Sequence, residues 1–380
     1  MNQDLALKVL SQIMNWQDER AREEFRWLRL MARLKYDGYR DFQAGMRFIE
    51  SLATWLQQFT PAERETAYEF VRRTLVYIGP GEMQRLVEQF YPRTVRDRLI
   101  RTVAAERGIP TYRVLADADA RSAVERLRRQ TLFMGLSDGA RIDTVRHANV
   151  GFISNEQLVL ATQVDKDKWI DLLSNLRSDL SDPEARFRLV YLIDDFAGTG
   201  TSFLRYDEDK KKWKGKLVRF RESVEGATAA LEGDRIFAPE WELCVHHYVG
   251  SAAAADSIGQ RQEAARKELD GDGWARAVHV SFGTILPPDL PINAINGRHE
   301  EFIKLAQTYY DPKLRTKHTD VGGVTHLALG YGGCGLPLVL DHNTPNNAVA
   351  LLWAETDGGD RDGVKVPAMR PLFRRRQRHT

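Results

Sequence analysis

The chain has 380 residues, of which 43% are hydrophobic and 28% are charged. This composition is ordinary for a folded protein and excludes a collagen-like, wholly disordered or low-complexity chain. The formal net charge is +2, so the chain as a whole carries no field that would attract nucleic acid or acidic lipid. The length fits one large domain or two medium ones.

The cysteines and the apolar stretches predict a cytoplasmic protein. Cys244 and Cys334 are the only cysteines, too few for a disulfide scaffold in a chain of this length. The N-terminal residues lack a basic segment followed by an apolar run, and no stretch reaches the roughly 20 apolar residues that cross a bilayer. We therefore expect neither secretion nor membrane insertion.

The first hundred residues predict helices. Apolar side chains recur at helical spacing over residues 48–59, and residues 60–63 (TPAE) then supply an N-cap, a proline in the first turn and a capping-box glutamate. A further short helix is expected over residues 82–91, ending before Pro92, because proline removes a helix hydrogen bond.

The hydrophobic pattern of the sequence changes after residue 111, where apolar runs of strand length alternate with helical stretches. The runs lie at residues 132–136, 158–164, 187–193, 243–249 and 277–282. Strands that alternate with helices are the signature of βαβ units, so we predict an α/β fold with a parallel sheet. Later candidate strands lie at residues 324–329, 336–340 and 349–353.

Three domains are predicted from this organisation. A helical N-terminal domain at residues 1–111 would serve partner binding or regulation, and the α/β domain follows at residues 112–356. Residues 357–380 form a polar basic tail, with Arg374, Arg375, Arg376 and Arg378. Such a tail is a candidate contact for nucleic acid.

The most informative segment is residues 188–202, RLVYLIDDFAGTGTS. An apolar run ends at Asp194 and Asp195, and a turn of glycine, threonine and serine follows. Ligands of open α/β sheets bind at this end of the strands. Backbone N–H groups of such a turn bind phosphate, while two carboxylates suit ribose hydroxyls or a Mg²⁺ ion that accompanies a polyphosphate. The segment predicts a site for a phosphorylated ribose; the alternative is a plain strand that ends in a capped turn.

This segment resembles the hallmark of the type I phosphoribosyltransferases: apolar residues, two acidic residues, a short spacer and Thr-Gly. The resemblance implies that Asp194 and Asp195 bind the ribose hydroxyls, or Mg²⁺, and carry the catalytic role. It implies that the 5′-phosphate binds to the turn residues Gly198, Thr199, Gly200, Thr201 and Ser202. Thr201 departs from the pattern, since many members have glycine there.

The family also places a pyrophosphate loop after an earlier strand. Ser137, Asp138, Gly139 and Arg141 follow the run at residues 132–136 and have the right position and the right small residues. The resemblance implies that they bind pyrophosphate. The alternative is that Ser137 or Asp138 only caps a helix that begins near residue 140.

A narrower group is similar over most of the chain: phosphoribosyltransferase-like proteins of bacterial conflict systems, including those encoded beside retrons. The similarity rests on residues 77–92, 135–139, 194–200 and 330–347. It implies an antiphage or toxic effector with partner proteins from a defence operon. In residues 330–347, glycines and asparagines predict either a lid that recognises a base or an ordinary turn-rich connection.

Two functions from different classes remain open at this point. In the first, the chain is an enzyme that binds phosphoribosyl pyrophosphate or a nucleotide, acts at C1′ and depletes nucleotides. In the second, the same pocket is a nucleotide sensor without catalysis and the helical domain binds a partner, since a fold does not determine a function.

Overall fold

The computed structural model describes residues 3–231, 234–269, 274–293, 299–361 and 363–375. The α-helices are α1 (Gln3–Met14), α2 (Asp18–Leu34), α3 (Phe48–Gln57), α4 (Arg64–Arg73), α5 (Pro80–Gln89), α6 (Arg96–Arg107), α7 (Ala118–Arg129), α8 (Ile142–Ala148), α9 (Lys166–Leu180), α10 (Lys216–Ala230), α11 (Ala252–Leu269), α12 (Glu300–Thr308), α13 (Lys317–Asp320) and α14 (Ala350–Trp353). The strands are β1 (Val76–Ile78), β2 (Thr131–Gly135), β3 (Leu158–Val159), β4 (Phe187–Ala197), β5 (Arg205–Asp207), β6 (Lys212–Lys214), β7 (Phe237–Ser251), β8 (Ala277–Leu286), β9 (Leu338–Leu340), β10 (Gly359–Arg361) and β11 (Val364–Val366). Within this part of the chain, no helix has the length and apolar character needed to cross a bilayer.

The chain forms two compact units. One comprises Met1–Met83 with Pro287–Thr380, and the other is Gln84–Leu286. This division by contacts falls at other positions than the domain boundaries predicted after residues 111 and 356, which stay a prediction. Both segments that are predicted to bind phosphate groups, residues 137–141 and 198–202, lie in the unit Gln84–Leu286.

A five-stranded parallel sheet forms the centre of the unit Gln84–Leu286. The strand order is β3-β2-β4-β7-β8, and every neighbouring pair is parallel. The central strands β4 and β7 are almost continuously buried, as expected for strands that are covered on both faces. The predicted α/β fold with a parallel sheet is confirmed.

The core of this unit explains why these elements pack. Large side chains from β4, β7, α9 and α10 pack into one apolar cluster, among them Trp169, Trp241 and Phe220. The second run predicted as a strand, residues 158–164, pairs only at Leu158–Val159, where β3 forms a short edge strand. Short edge strands limit unwanted pairing with other chains.

The expected helix end before Pro92 is wrong. Helix α5 continues into one π-helical stretch, Phe90–Val95, and then into α6. A π-helical turn is wider than an α-helical turn, and Pro92, which lacks an N–H group, lies inside it.

The other unit combines the N-terminal helices with the C-terminal segment. Strands β1 and β9 pair in parallel, with Tyr77 opposite Val339. Of the three later candidate strands, residues 349–353 instead contain the helix α14, residues 324–329 contain no strand, and residues 336–340 contain β9. A short buried apolar run does not distinguish a strand from a helix.

Two arginines of the predicted basic tail make contacts within this unit. The Arg374 guanidinium lies 3.0 Å from the Glu355 carboxylate, and the Arg375 guanidinium lies 5.3 Å from the centre of the Trp353 ring. Arg376 and Arg378 lie outside the described residues. The nucleic-acid role of the tail stays a prediction.

Candidate functional site

The two predicted ligand-binding segments meet because β2 and β4 are neighbours. Gly135 at the end of β2 lies opposite Ile193 in β4, and the Leu136 N–H donates to the Ile193 carbonyl at 2.8 Å. The next side chains then touch, since the Ser137 hydroxyl donates a hydrogen bond to Oδ1 of Asp194. Parallel strands thus deliver both segments to one edge of the sheet.

Gly139 lies directly against the second carboxylate. A Cβ atom built on Gly139 would be only 2.4 Å from Oδ2 of Asp195, so any larger residue would displace either the loop or the carboxylate. Asp195 also accepts a hydrogen bond from the Phe196 N–H at 2.9 Å. The glycine in this loop is therefore explained by the close approach of its backbone to Asp195.

Asp194 is buried with a positive charge beside it. The Asp194 side chain is 5% exposed, and Oδ2 accepts a hydrogen bond from the Lys216 ammonium. Burial raises the pKa of Asp194 above its usual range; Lys216 lowers it and the neighbouring Asp195 raises it. A buried carboxylate needs such a partner, because an isolated buried charge is strongly unfavourable.

The turn after β4 presents backbone donors. Within the described residues, the N–H groups of Thr199, Gly200 and Ser202 donate to no other part of the chain. Gly200 is nevertheless buried, and it has a φ of 69°. Since most buried N–H groups in proteins are hydrogen-bonded, this turn has the donors that an anion requires.

The conformation of the turn fits its residue types. A Cβ atom on Gly200 would lie 2.4 Å from Cγ1 of Ile258 in α11, so glycine is required there by both space and φ. Thr201 has no left-handed backbone, so threonine fits where many members of the family have glycine. Its hydroxyl lies 2.9 Å from that of Thr199, and Ser202 is exposed.

Two side chains from neighbouring elements hold the carbonyl groups of the turn. Arg261 in α11 donates to the Thr199 carbonyl at 2.8 Å, and Ser251 at the end of β7 donates to the Gly198 carbonyl at 2.6 Å. Fixing these carbonyl groups orients the adjacent N–H groups, as in other preorganised anion sites.

The helix after the turn is interrupted, contrary to expectation. The turn does not open a helix directly: the antiparallel hairpin of β5 and β6 follows, and α10 begins only at Lys216. The Lys216 N–H nevertheless donates to the Ser202 carbonyl at 3.0 Å, and the Leu217 N–H donates to the Phe203 carbonyl at 3.1 Å. The hairpin is thus an insertion into the first turn of the helix. It brings Lys216 to the acidic pair, Asp194 and Asp195.

Two residues of β7 lie beside the acidic pair. His247 pairs with Asp194 across the sheet, and its pKa is lowered to about 3, first by burial and then by Lys216. The Tyr248 hydroxyl donates to the Ala140 carbonyl at 2.9 Å. Burial raises the pKa of Tyr248, and the charges of Arg141, Asp195 and Asp194 also act on that pKa.

Adjacent histidines of β7 face opposite sides of the sheet. His246 contacts Ser281, with 2.9 Å between its Nδ1 and the hydroxyl, whereas His247 stacks on Phe282. Among the described residues, no group of three histidine, cysteine, aspartate or glutamate side chains is arranged to hold a metal ion.

Not every predicted residue reaches the site. Asp138 is exposed and donates or accepts no side-chain hydrogen bond in the described part of the chain. Arg146, in the helix that follows the loop at residues 137–141, is partly exposed and pairs with Asp143 at 2.5 Å. The roles assigned to Ser137, Asp138, Gly139 and Arg141 stay predictions.

Sequence reasoning missed Lys216, Ser251 and Arg261. Lys216 carried no spacing signal, because the hairpin separates it from the Thr-Gly turn. Ser251 at the end of β7 and Arg261 in α11 follow much later in the chain. They come to the turn only because β7 lies beside β4 in the sheet. The one available signal was the position of Ser251 in the sequence, since it follows a long apolar run, as the acidic pair does.

The segment at residues 330–347 is tied into its own unit. The Ile292 N–H donates to the Gly335 carbonyl at 2.8 Å, and the Asn347 amide donates to the Tyr331 carbonyl at 3.3 Å. Burial raises the pKa of the Cys334 thiol, which disfavours a reactive thiolate. These contacts favour a packed connection, and the lid stays a prediction.

The chain was compared with known proteins. The PRTase-CE family model matches residues 52–375. No curated protein and no solved structure matches the chain. The matched residues cover most of the chain and include the acidic pair, the turn and the loop before them, so the resemblance to phosphoribosyltransferases is confirmed. The chain belongs to the PRTase-CE family.

Proposed function

We propose that the chain binds the phosphoribosyl group of phosphoribosyl pyrophosphate, or of a nucleotide, and acts at its C1′ atom. The observation that carries this proposal is the meeting of the acidic pair, Asp194 and Asp195, with a turn that offers the N–H groups of Thr199, Gly200 and Ser202, which donate to no other part of the described chain. A phosphorylated ribose brings hydroxyl donors and phosphate acceptors in one molecule. Its hydroxyls therefore match the carboxylates of the acidic pair, and its phosphate matches the N–H groups of the turn.

The carboxylates of the acidic pair have acceptor capacity left for ribose hydroxyls. Each carboxylate oxygen accepts about two hydrogen bonds, so Ser137 and Lys216 do not saturate Asp194. The 5′-phosphate would bind to the N–H groups of Thr199, Gly200 and Ser202. The leaving pyrophosphate would bind near Gly139 and Arg141, whose positive charge suits it.

The proposed reaction breaks the bond between C1′ and the pyrophosphate oxygen. Pyrophosphate leaves with the electron pair, and a base nitrogen or a water oxygen forms the new bond to C1′ and loses its proton. In the reverse or hydrolytic direction on a nucleotide, the bond between C1′ and the base nitrogen breaks, the base leaves with the electron pair and takes up a proton, and an oxygen of pyrophosphate or water forms the new bond to C1′. This direction is the one that depletes nucleotides. Charge on the leaving group is the main barrier, so donors fixed in advance lower it. When bound, Mg²⁺ supplies further positive charge against the pyrophosphate, and Asp194 and Asp195 are the carboxylates that would hold it.

The proposed setting is antiphage defence in bacteria. Its support is the similarity of the sequence to phosphoribosyltransferase-like proteins of conflict systems, including retron-associated ones. An effector of this kind, working with partner proteins in the cytoplasm, would stop phage replication by depleting nucleotides.

A second candidate is a nucleotide sensor without catalysis. The contact between Lys216 and Asp194 favours it, because the ammonium already neutralises one of the two carboxylates. A site with an internal cation holds a nucleotide with less need of Mg²⁺. Saturable binding without turnover would distinguish the sensor from the enzyme.

The experiment that tests the proposal follows pyrophosphate by ³¹P NMR. The purified protein is incubated with phosphoribosyl pyrophosphate and Mg²⁺, alone and with a mixture of free bases, and each nucleotide is incubated with pyrophosphate for the reverse direction. The enzyme proposal predicts a new phosphorus resonance with wild type and none with Asp194→Asn/Asp195→Asn. The matched control is Asp167→Asn/Asp171→Asn, which changes two exposed carboxylates of α9. Equal turnover by the acidic-pair variant would remove this mechanism.

A further inference from the structure

Lys216 lies at the foot of the hairpin formed by β5 and β6, and its backbone is fixed there. Its N–H donates to the Ser202 carbonyl at 3.0 Å. The preceding Gly215 has a φ of 134°, and a Cβ atom on it would lie 2.2 Å from the carbonyl oxygen of Phe203. Only glycine fits this close approach, so the sequence holds the lysine against the end of the turn at residues 198–202.

The Lys216 side chain occupies one oxygen of a buried carboxylate. Its ammonium donates to Oδ2 of Asp194, while the Ser137 hydroxyl donates to Oδ1. The Lys216 side chain is 19% exposed, so most of it is withdrawn from water, as the Asp194 side chain is. Both oxygens of Asp194 therefore have a donor from the chain before any ligand binds, and one of these donors carries a full positive charge.

A divalent cation requires the same oxygen atoms. Mg²⁺ is usually bound through one or two carboxylates together with the phosphates of a ligand. An ammonium that donates to Oδ2 of Asp194 would lie only about 4 Å from an ion bound to that oxygen, and two positive charges at this distance repel each other strongly outside bulk water. Within the described part of the chain, no cluster of three acidic, histidine or cysteine side chains is available to outweigh this repulsion. The two cations are therefore alternatives at Asp194.

We propose that Lys216 controls the access of divalent metal to the acidic pair. Its ammonium and the metal ion compete for Asp194, and the lysine holds this carboxylate as long as no ligand is bound. The metal enters only when the phosphates of a ligand supply the further oxygen atoms that the ion needs. This proposal rests on the proposed function, since that function is what brings Mg²⁺ to Asp194.

The test measures metal binding to the whole chain without any phosphoribosyl ligand. Mn²⁺ is the probe, and electron paramagnetic resonance reports the concentration of the free ion. Lys216→Met removes the charge and keeps the length of the side chain, whereas Lys216→Gln removes the charge and keeps a hydrogen-bond donor, which favours a folded variant. The matched control is Lys212→Met, because Lys212 is an exposed lysine of the same hairpin and forms no ion pair within the described residues.

Lys216→Met and Lys216→Gln should each bind Mn²⁺ at least about tenfold more tightly than wild type and Lys212→Met, because the competing charge is gone. Adding Asp194→Asn to either variant should abolish this gain. Equal affinities of wild type and Lys216→Gln would overturn the proposal. A gain that survives Asp194→Asn would also overturn it, since the ion would then be bound elsewhere.

The outcome is separate from that of the ³¹P NMR experiment. If phosphoribosyl pyrophosphate turns over but the lysine variants bind Mn²⁺ no better than wild type, the role of Lys216 is wrong and the proposed function stands. If no turnover and no phosphoribosyl binding are found but the gain in Mn²⁺ affinity is, the proposed function fails and the competition at Asp194 stands. Urea denaturation gives a second readout, because an ion that binds only the folded chain stabilises it: Mg²⁺ should stabilise Lys216→Gln more than wild type.

Discussion

The Lys216 ammonium donates a hydrogen bond to Oδ2 of Asp194, although the two residues are 22 positions apart. The hairpin between them is inserted into the first turn of α10, so the lysine at the start of that helix lies at the carboxyl end of β4. The acidic pair thus carries its own counter-charge. This contact is what makes a buried Asp194 compatible with the folded state.

Removing that counter-charge should destabilise the fold. Lys216→Met keeps the length of the side chain but leaves the Asp194 carboxylate buried without a cation, which typically costs about 3 kcal/mol or more. The free energy of unfolding from urea denaturation checks this. In a double-mutant cycle, Asp194→Asn should recover most of the loss. Additive effects of the two substitutions would show that the residues do not interact.

Gly139→Ala should weaken ligand binding while the protein still folds. The new Cβ atom would overlap the Asp195 carboxylate, and the loop that carries it is partly exposed, so the loop moves and the pyrophosphate position is lost. We expect the affinity for phosphoribosyl pyrophosphate, measured by calorimetry, to fall about tenfold or more. Gly226→Ala, which meets open space, is the control. Wild-type affinity in Gly139→Ala would contradict the arrangement of the loop.

Arg261→Gln should loosen the turn after β4. The guanidinium holds the carbonyl groups of Thr199 and Leu204, and the shorter, neutral side chain does not reach both. Hydrogen exchange followed by mass spectrometry should show faster exchange of the Phe203 and Leu204 amides, which donate to the Gly200 carbonyl. The exposed Arg219 of α10 provides the control Arg219→Gln. If exchange in this peptide is the same in both variants, Arg261 does not order the turn.

The buried His247 should make stability depend on pH. Its folded-state pKa, about 3, lies below the ordinary value near 6.5, so the unfolded chain binds a proton that the folded chain does not. Stability is therefore lost as the pH falls below 6.5, by about 1.4 kcal/mol per pH unit for one histidine. Asp194 acts in the opposite direction, because its pKa is raised.

Comparison with a variant isolates the histidine. His247→Phe keeps an aromatic ring against Phe282 and removes the titrating group. Between pH 7.5 and pH 5.5 the free energy of unfolding of wild type should fall by about 1–2 kcal/mol more than that of the variant. Parallel curves would show that His247 is already protonated or exposed in the folded state.

The sequence alone predicts the parts of this site that are local in the chain. The apolar run before Asp194 is long enough to be a buried strand, and the acidic residues and small residues that follow mark its carboxyl end. The alternation of strands and helices predicts the parallel sheet. The loop at residues 137–141 is predicted from the resemblance to the type I phosphoribosyltransferases, and the structure then shows that β2 and β4 are neighbours.

The parts that the sequence did not reveal depend on contacts between distant segments. Lys216 reaches Asp194 only because the strands β5 and β6 pair as a hairpin. Arg261 reaches Thr199 only because α11 packs against the turn. Periodicity also fails for short apolar runs, since residues 349–353 form part of a buried helix and not a strand. In each case tertiary packing decides, and no local pattern records it.

The most direct measurement of the central claim is calorimetric titration of phosphoribosyl pyrophosphate with Mg²⁺ into the whole chain. The account predicts saturable 1:1 binding to wild type and to the control Asp167→Asn/Asp171→Asn, and no binding to Asp194→Asn/Asp195→Asn. Circular dichroism would verify that the last variant is folded. Equal binding by all three proteins, or no binding by wild type, would contradict a phosphoribosyl site at the acidic pair.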